Sequence, residues 1–546
     1  MWTSADRAAI VTHAVTMGGA RALGSTNDEV PQVNETMNKT LRLLLIANCS
    51  LTLAACGGGN DDDMPMPAPA APPVRGSLIQ SPPARTASLT PATIAAALTN
   101  QPGAELLLDL IVAPKCGIDI HQVQYNTVDP AGAPTTASAA MMIPTGTDPV
   151  CQGPRPIVLY AHGTAAQRSL NLANITSADN LEGLLVATVF TTQGYILIAP
   201  NYTGYDMSAL AYNPYLNADQ ESKDMVDALT AARSALPTSF APTITDSGKL
   251  FVTGYSQGGH VAMATHKALQ ETGATITASA PMSGPYAVAA FSDAVFYGQV
   301  TRTTPLFLAF TATGYEKAYG DVYASPTDIF EARYASGIES LLPSSVPRTQ
   351  LFAEGKLPRD QLFDSTPPDP SFAPFTPATT PANLAPVFAQ GFGPEHLVTN
   401  AFRLAYLQDA QAHPDGGFPN LLDNRPAANP ANGLRLAFKR NDLRTWLPTA
   451  PVFLCGGNED PTVLFMNTQL IQAYWSANGA TAPVTMLDLD SDIASNDPDA
   501  ARKAAFAAAK AATAADGGDA AVIESYHSTL LPPFCLSAVK SFFDSK

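Results

Sequence analysis

From about residue 150 onward, short runs that are apolar throughout alternate with longer stretches of helical spacing. PIVLYA (156–161), YILIAP (195–200), KLFVTG (249–254), PVFLC (451–455) and PVTMLDL (483–489) read as strands with both faces covered. In ADQESKDMVDALTAARSAL, Met225, Ala228, Leu229, Ala232 and Leu236 recur on one helical face. QGGHVAMATHKALQETG fits a second helix that stops at Gly273. Two-faced strands alternating with helices predict an α/β fold, a mostly parallel sheet with helices on both sides.

The alternation lapses between about 290 and 447, where proline, aromatic residues and short helical pieces replace strand patterns. Long structureless loops are uncommon, so residues 291–447 are expected to form a mainly helical cap inserted in the core. A second excursion, about 491–520, is alanine-rich and reads as a solvated helix with little functional content.

The N-terminal pattern is different. Lys39 and Arg42 precede the short apolar stretch Leu43–Leu53, and Leu53-Ala54-Ala55-Cys56 follows. This resembles a bacterial lipoprotein signal, in which the cysteine becomes the lipidated first residue of the mature chain. It implies that residues 1–36 derive from an upstream start, that 37–55 are the signal peptide and that Cys56 is the lipid site. Gly57 after the cysteine resembles lipoproteins sorted to the outer membrane. Residues 56–90, rich in Gly, Asp and Pro at their start, are expected to be a disordered tether.

Composition narrows the function classes. The 546 residues hold 30 basic and 47 acidic side chains, a formal charge of −17. That balance argues against nucleic-acid binding, which needs a basic footprint. No zinc-type cysteine spacing, P-loop or dinucleotide fingerprint occurs, so neither a metal nor an organic cofactor is expected.

The candidate chemistry lies in GYSQGG (254–259). Ser256 follows a predicted strand and precedes a predicted helix, so its hydroxyl would project from a strained turn that only Gly254 and Gly258 allow. A serine nucleophile needs a base, and the base an orienting acid. Of the eight histidines, only His527 lies after the last predicted strand. His260 and His266 ride on the helix after the serine and cannot swing back to it. Asp460, in NEDPTV just past the fourth predicted strand, is the favoured acid; Glu459, Asp488 and Asp490 are rivals. The backbone N–H groups of Gln257 and Thr164 are the expected oxyanion donors, with His162 bracing the Thr164 loop.

His162-Gly163, APNYTGYD, NPYL, GYSQGG, NEDPTV and SYH in this order resemble the α/β-hydrolase superfamily, and within it capped secretory lipases and bacterial esterases. The resemblance implies an α/β-hydrolase core over 91–290 and 448–546. It also implies a Ser256–Asp460–His527 triad, no cofactor, and a small-molecule or polymeric ester as substrate. An apolar cap pocket would favour lipid, aryl or polyester-type esters. A peptidase on the same triad and a non-catalytic surface lipoprotein are the alternatives. Cys116, Cys151, Cys455 and Cys535 remain for disulfides and allow three pairings; Cys116–Cys151 and Cys455–Cys535 would tie neighbouring elements of that fold. A monomer anchored in the cell envelope through Cys56 is the expected form.

Overall fold

The computed structural model describes residues 72–99, 112–177, 180–240 and 243–546. The upstream segment 1–36, the signal 37–55, Cys56 and the first part of the tether lie outside the described residues.

Nine strands form one sheet in the order β1-β2-β3-β5-β4-β6-β7-β8-β9. They are β1 (Ala84–Leu89), β2 (Gly117–Val128), β3 (Pro134–Thr145), β4 (Gly153–Ala161), β5 (Ile196–Pro200), β6 (Ile244–Tyr255), β7 (Ala278–Met282), β8 (Val452–Gly456) and β9 (Val484–Asp488). From β5 across to β9 all neighbours are parallel, while β1, β2 and β3 pair antiparallel and β3 meets β5 antiparallel.

The strand alternation explains the two covered faces. Val158 and Tyr160 of β4, with Leu197 and Ala199 of β5, pack against the helices Leu181–Phe190 and Leu531–Asp544. Ile157, Leu159, Ile196 and Ile198 point the other way, onto Ala218–Ser239 and Gln257–Glu271. Met225, Ala228, Leu229, Ala232 and Leu236 are all buried there, as their spacing predicts. Period two in the strands and 3.6 in the helices thus close the same core.

Two expectations need correction. The tether assigned to 56–90 ends earlier, because residues 84–89 are β1, hydrogen-bonded along β2, and Leu78 already bridges to Tyr125. The half-exposed ARTASL gives no apolar run, so only its pairing with β2 reveals it. The alanine-rich excursion is indeed a mostly exposed helix, Ala500–Ser525, but it is not idle. Broken once at Gly518, whose φ of 70° is non-helical, it continues into a π-helical turn, Tyr526–Leu530, that carries His527.

Both expected disulfides are formed. Cys116–Cys151 joins the start of β2 to the turn before β4, and Cys455–Cys535 joins β8 to the last helix. Residues 283–451 connect β7 to β8 with helices, turns and isolated bridges such as Phe330–Val398. They pack a second apolar cluster that includes Phe296, Leu308, Phe310, Phe330, Phe363 and Tyr406.

Candidate functional site

Ser256 stands between the end of β6 and the helix Gln257–Glu271 with φ 60° and ψ −123°, a backbone state few L-residues adopt. Its N–H is held by Met282 O at 3.0 Å, in the adjacent strand β7. The turn tolerates only glycine on either side. A Cβ on Gly254 would lie 2.3 Å from Gly258 O, and one on Gly258 would lie 2.0 Å from Ala161 O.

His527 reaches this serine from the far end of the chain. Its Nε2 lies 2.8 Å from Ser256 Oγ and its Nδ1 lies 2.6 Å from Asp460 Oδ2. With Nδ1–H donating to the carboxylate, Nε2 is left to accept from the serine hydroxyl. Tyr255 O–H donates to His527 O at 2.7 Å. Burial pushes the Tyr255 phenol well up, aided by the charge of Asp460, so it stays a donor. Tyr526, beside His527, is bonded to Asp490, which is also paired with Lys510. The π turn is therefore fixed on both flanks of the imidazole.

Asp460 is fully buried and saturated with donors. Oδ2 accepts His527 Nδ1 and the Ser283 hydroxyl (2.8 Å); Oδ1 accepts the N–H groups of Thr462 (2.8 Å) and Val463 (3.1 Å). The three rival carboxylates are occupied elsewhere. Glu459 and Asp490 pair with Lys510, and Asp488 caps the Asn458 and Asp490 N–H groups.

Thr164 follows β4 on a loop whose Gly163 N–H is bonded to Glu182 Oε1 at 2.9 Å. The ring of His162 lies fully buried under that loop, stacked 4.1 Å from Tyr202, with Nδ1 2.6 Å from Gly163 O; burial lowers its pKa and keeps it neutral. The Thr164 hydroxyl bonds Tyr215 O–H at 2.7 Å. Neither the Gln257 nor the Thr164 backbone N–H has an acceptor among the described residues. The Gln257 side chain donates to Glu221 Oε1 at 2.5 Å, and burial raises the Glu221 carboxyl well above the ordinary range. Among the described residues no group of His, Cys, Asp and Glu is placed to hold a metal ion.

Sequence reasoning missed Ser283, Tyr255 and Glu221. Tyr255 was inside the quoted motif but at its variable position. Ser283 follows β7, which was itself missed because Ser279 and Pro281 dilute its apolar pattern.

Ser256 lies at the meeting of two cavities. A narrow one of about 80 Å³ is lined by Gln257, Val288, Val295, Phe296 and Leu308, and a wide one of about 800 Å³ by Thr164, Gln167, Ser169, Asn171 and His527.

The prolyl oligopeptidase family model matches residues 184–305, the stretch that contains the Ser256 turn. Crystal structures of the rice cell wall degrading esterase LipA from Xanthomonas oryzae are similar over nearly their whole length. One is 26% identical with a TM-score of 0.59, covering 84% of this chain and 99% of that one. A point-mutant form is 25% identical with a TM-score of 0.62, covering 87% and 100%. The chain has the α/β-hydrolase fold. A candidate hydrolase of Legionella pneumophila, 16% identical with a TM-score of 0.59 over 85% of this chain and 96% of that one, shares the fold. Among curated proteins none matches this chain.

Proposed function

We propose that the protein hydrolyses carboxylic esters through an acyl-enzyme on Ser256. The observation that carries this reading is the continuous chain Ser256–His527–Asp460, with both imidazole nitrogens within 2.8 Å of their partners. His527 takes the Ser256 proton as Oγ bonds to the ester carbonyl carbon. The carbonyl oxygen becomes an oxyanion held by the Gln257 and Thr164 N–H groups, which have no other acceptor. The carbon–oxygen bond to the alcohol then breaks, and His527 gives the alcohol its proton. Water repeats the sequence in reverse and frees the acid. Asp460 keeps the imidazole in the tautomer this requires and stabilises its charged form.

The ester preference is supported by the apolar cavity beside Ser256 and by the likeness to LipA, itself an esterase. The family match favours a second reading, a peptidase on the same residues. Residues 291–447 act as the cap in either case, since the 283–451 segment supplies the cavity walls Val288, Val295, Phe296 and Leu308. The N-terminal signal and two disulfides support a location in the cell envelope with a lipid on Cys56. Cys56→Ala would then move the protein from the membrane to the soluble fraction.

Ser256→Ala is expected to lower kcat on p-nitrophenyl butanoate by about 10⁴-fold or more, and to abolish labelling by a fluorophosphonate. Substantial turnover by Ser256→Ala would overturn the assignment. A peptide p-nitroanilide cleaved faster than the ester would transfer it to the peptidase reading.

A further inference from the structure

The two cavities that meet at Ser256 are unlike in size and chemistry, and the proposed reaction assigns a half of the ester to each. Both assignments rest on that ester-hydrolase reading. The departing alcohol must take its proton from His527 Nε2, so it leaves on the side where His527 is exposed. His527 lines the wide cleft and not the narrow cavity. Gln257 lines the narrow cavity and not the cleft. With the alcohol on the cleft side, the acyl group takes the other space that opens on Ser256, the apolar narrow cavity, and the oxyanion sits between the two, with Gln257 on one side and Thr164 on the other.

The narrow cavity holds about 80 Å³ and its walls are largely aliphatic and aromatic. A cavity of about 150 Å³ accommodates a benzene ring, so this one has room for on the order of three or four carbons. Its walls include Phe296, stacked 3.6 Å from Tyr406, and the buried Leu362 and Phe438. The cleft is ten times larger, and polar groups make half of its lining. Gln167, Ser169 and Arg348 project into it with side chains that have no partner among the described residues.

One side chain divides the two spaces. Phe307 lines both cavities, as do Ser256 itself and Thr462. It sits in the first turn of the helix Thr304–Tyr319, and the start of that helix is tied to the site. Arg302 N–H donates to Pro461 O at 2.9 Å, next to Asp460, and Thr303 N–H donates to Asp360 Oδ1 at 3.1 Å. Arg302 is also paired with Glu524, three residues before His527. Phe307 is half-buried rather than a core side chain.

We propose that the substrates are esters with a short apolar acid and a large hydrogen-bonding alcohol, and that Phe307 is the wall that sets the acid's length. A methylene that does not fit such a pocket costs about tenfold or more in kcat/KM.

The test is a series of p-nitrophenyl esters from acetate to decanoate with wild type, Phe307→Ala and Phe307→Leu. Wild type is expected to peak at butanoate or shorter. The octanoate-to-butanoate ratio of kcat/KM should rise at least tenfold in Phe307→Ala, and by less in Phe307→Leu. On the alcohol side, wild type should prefer the butanoate of glycerol to that of octanol. A wild-type optimum at decanoate, an unchanged ratio in Phe307→Ala, or preference for octyl butanoate would each overturn the inference while leaving ester hydrolysis standing. A wild type that cleaves only the peptide anilide would instead remove the reading beneath it.

Discussion

The sheet and the 283–451 segment are held together by different means. In the sheet, β4, β5 and β6 bury alternating aliphatic side chains on two faces and contribute almost no buried charge. The β7–β8 segment also has an apolar cluster, but fully buried arginines knit it. Arg435 joins Asp293 at 2.8 Å and Asp409 at 2.7 Å, and Arg444 joins Asp415 at 2.7 Å and Asp442 at 2.9 Å. Arg403, equally buried, donates only to neutral oxygens, among them Phe375 O at 2.7 Å, and burial lowers it to about 9. A repetitive sheet can be specified by pattern alone. A segment of short helices and prolines has no such pattern, and directional, charge-assisted contacts fix its geometry instead.

That contrast is broken most directly at Arg444. Its side chain is fully inaccessible and makes bidentate contacts to two carboxylates. Arg444→Ala leaves Asp415 and Asp442 buried without their counter-ion, which costs about 3–5 kcal/mol. Asp442 also holds Ala289 N–H at 3.0 Å, so the helix Val288–Phe296 that walls the narrow cavity should loosen with it. Urea denaturation would read the loss. A change below about 1 kcal/mol would mean that apolar packing alone holds the segment. Arg444→Lys keeps the charge but not the fork, and should fall between the two.

The same difference explains what was legible in the sequence. The strands β4, β5, β6, β8 and β9 and the two flanking helices could be read because burial on both faces leaves a run or a period. β1 was hidden by exposure, β7 by small residues, and the antiparallel pair β2 and β3 by polar positions such as Gln122, Gln124 and Asn126. At the site, Ser256, His527 and Asp460 were accessible through spacing and chain order. The side chains that hold them were not. Ser283 and Lys510 come from distant places in the chain, and Tyr255 and Tyr526, though next to Ser256 and His527, carry no pattern that marks their contacts, which only the closed fold makes.

The second disulfide spans both parts of that site. Cys455 lies on β8 five residues before Asp460, and Cys535 lies eight residues after His527. Replacing both with Ala should cost about 2–4 kcal/mol, because the bond closes a long loop. Replacing Cys116 and Cys151 should cost a similar amount. The two differ in a second readout. Loss of Cys455–Cys535 should lower kcat on p-nitrophenyl butanoate several-fold at temperatures where the fold is intact, since β8 and the last helix flank Asp460 and His527. Loss of Cys116–Cys151 should leave kcat unchanged. Equal effects on kcat would show that neither bond positions the site beyond holding the sheet.

The smallest effect is expected at the seam between the two regions. Ser283 is the first residue after β7, where the chain leaves the sheet for the helical segment, and its hydroxyl donates to Asp460 Oδ2 at 2.8 Å. Its own N–H is held by Cys455 O at 2.7 Å, so the backbone should stay in place without the hydroxyl. Ser283→Ala removes one of four donors to a buried carboxylate, a loss of about 0.5–1.5 kcal/mol. If Ser283 acts by orienting Asp460 toward His527, that loss should appear in kcat as a fall of about 3–10-fold. KM for a short ester should hardly move, because Ser283 lines neither cavity. An unchanged kcat with a lowered melting temperature would make the hydroxyl a purely structural tie. A rise in KM with kcat preserved would place Ser283 with the cavity walls instead, and the seam would then belong to the substrate-binding region and not to the chemistry.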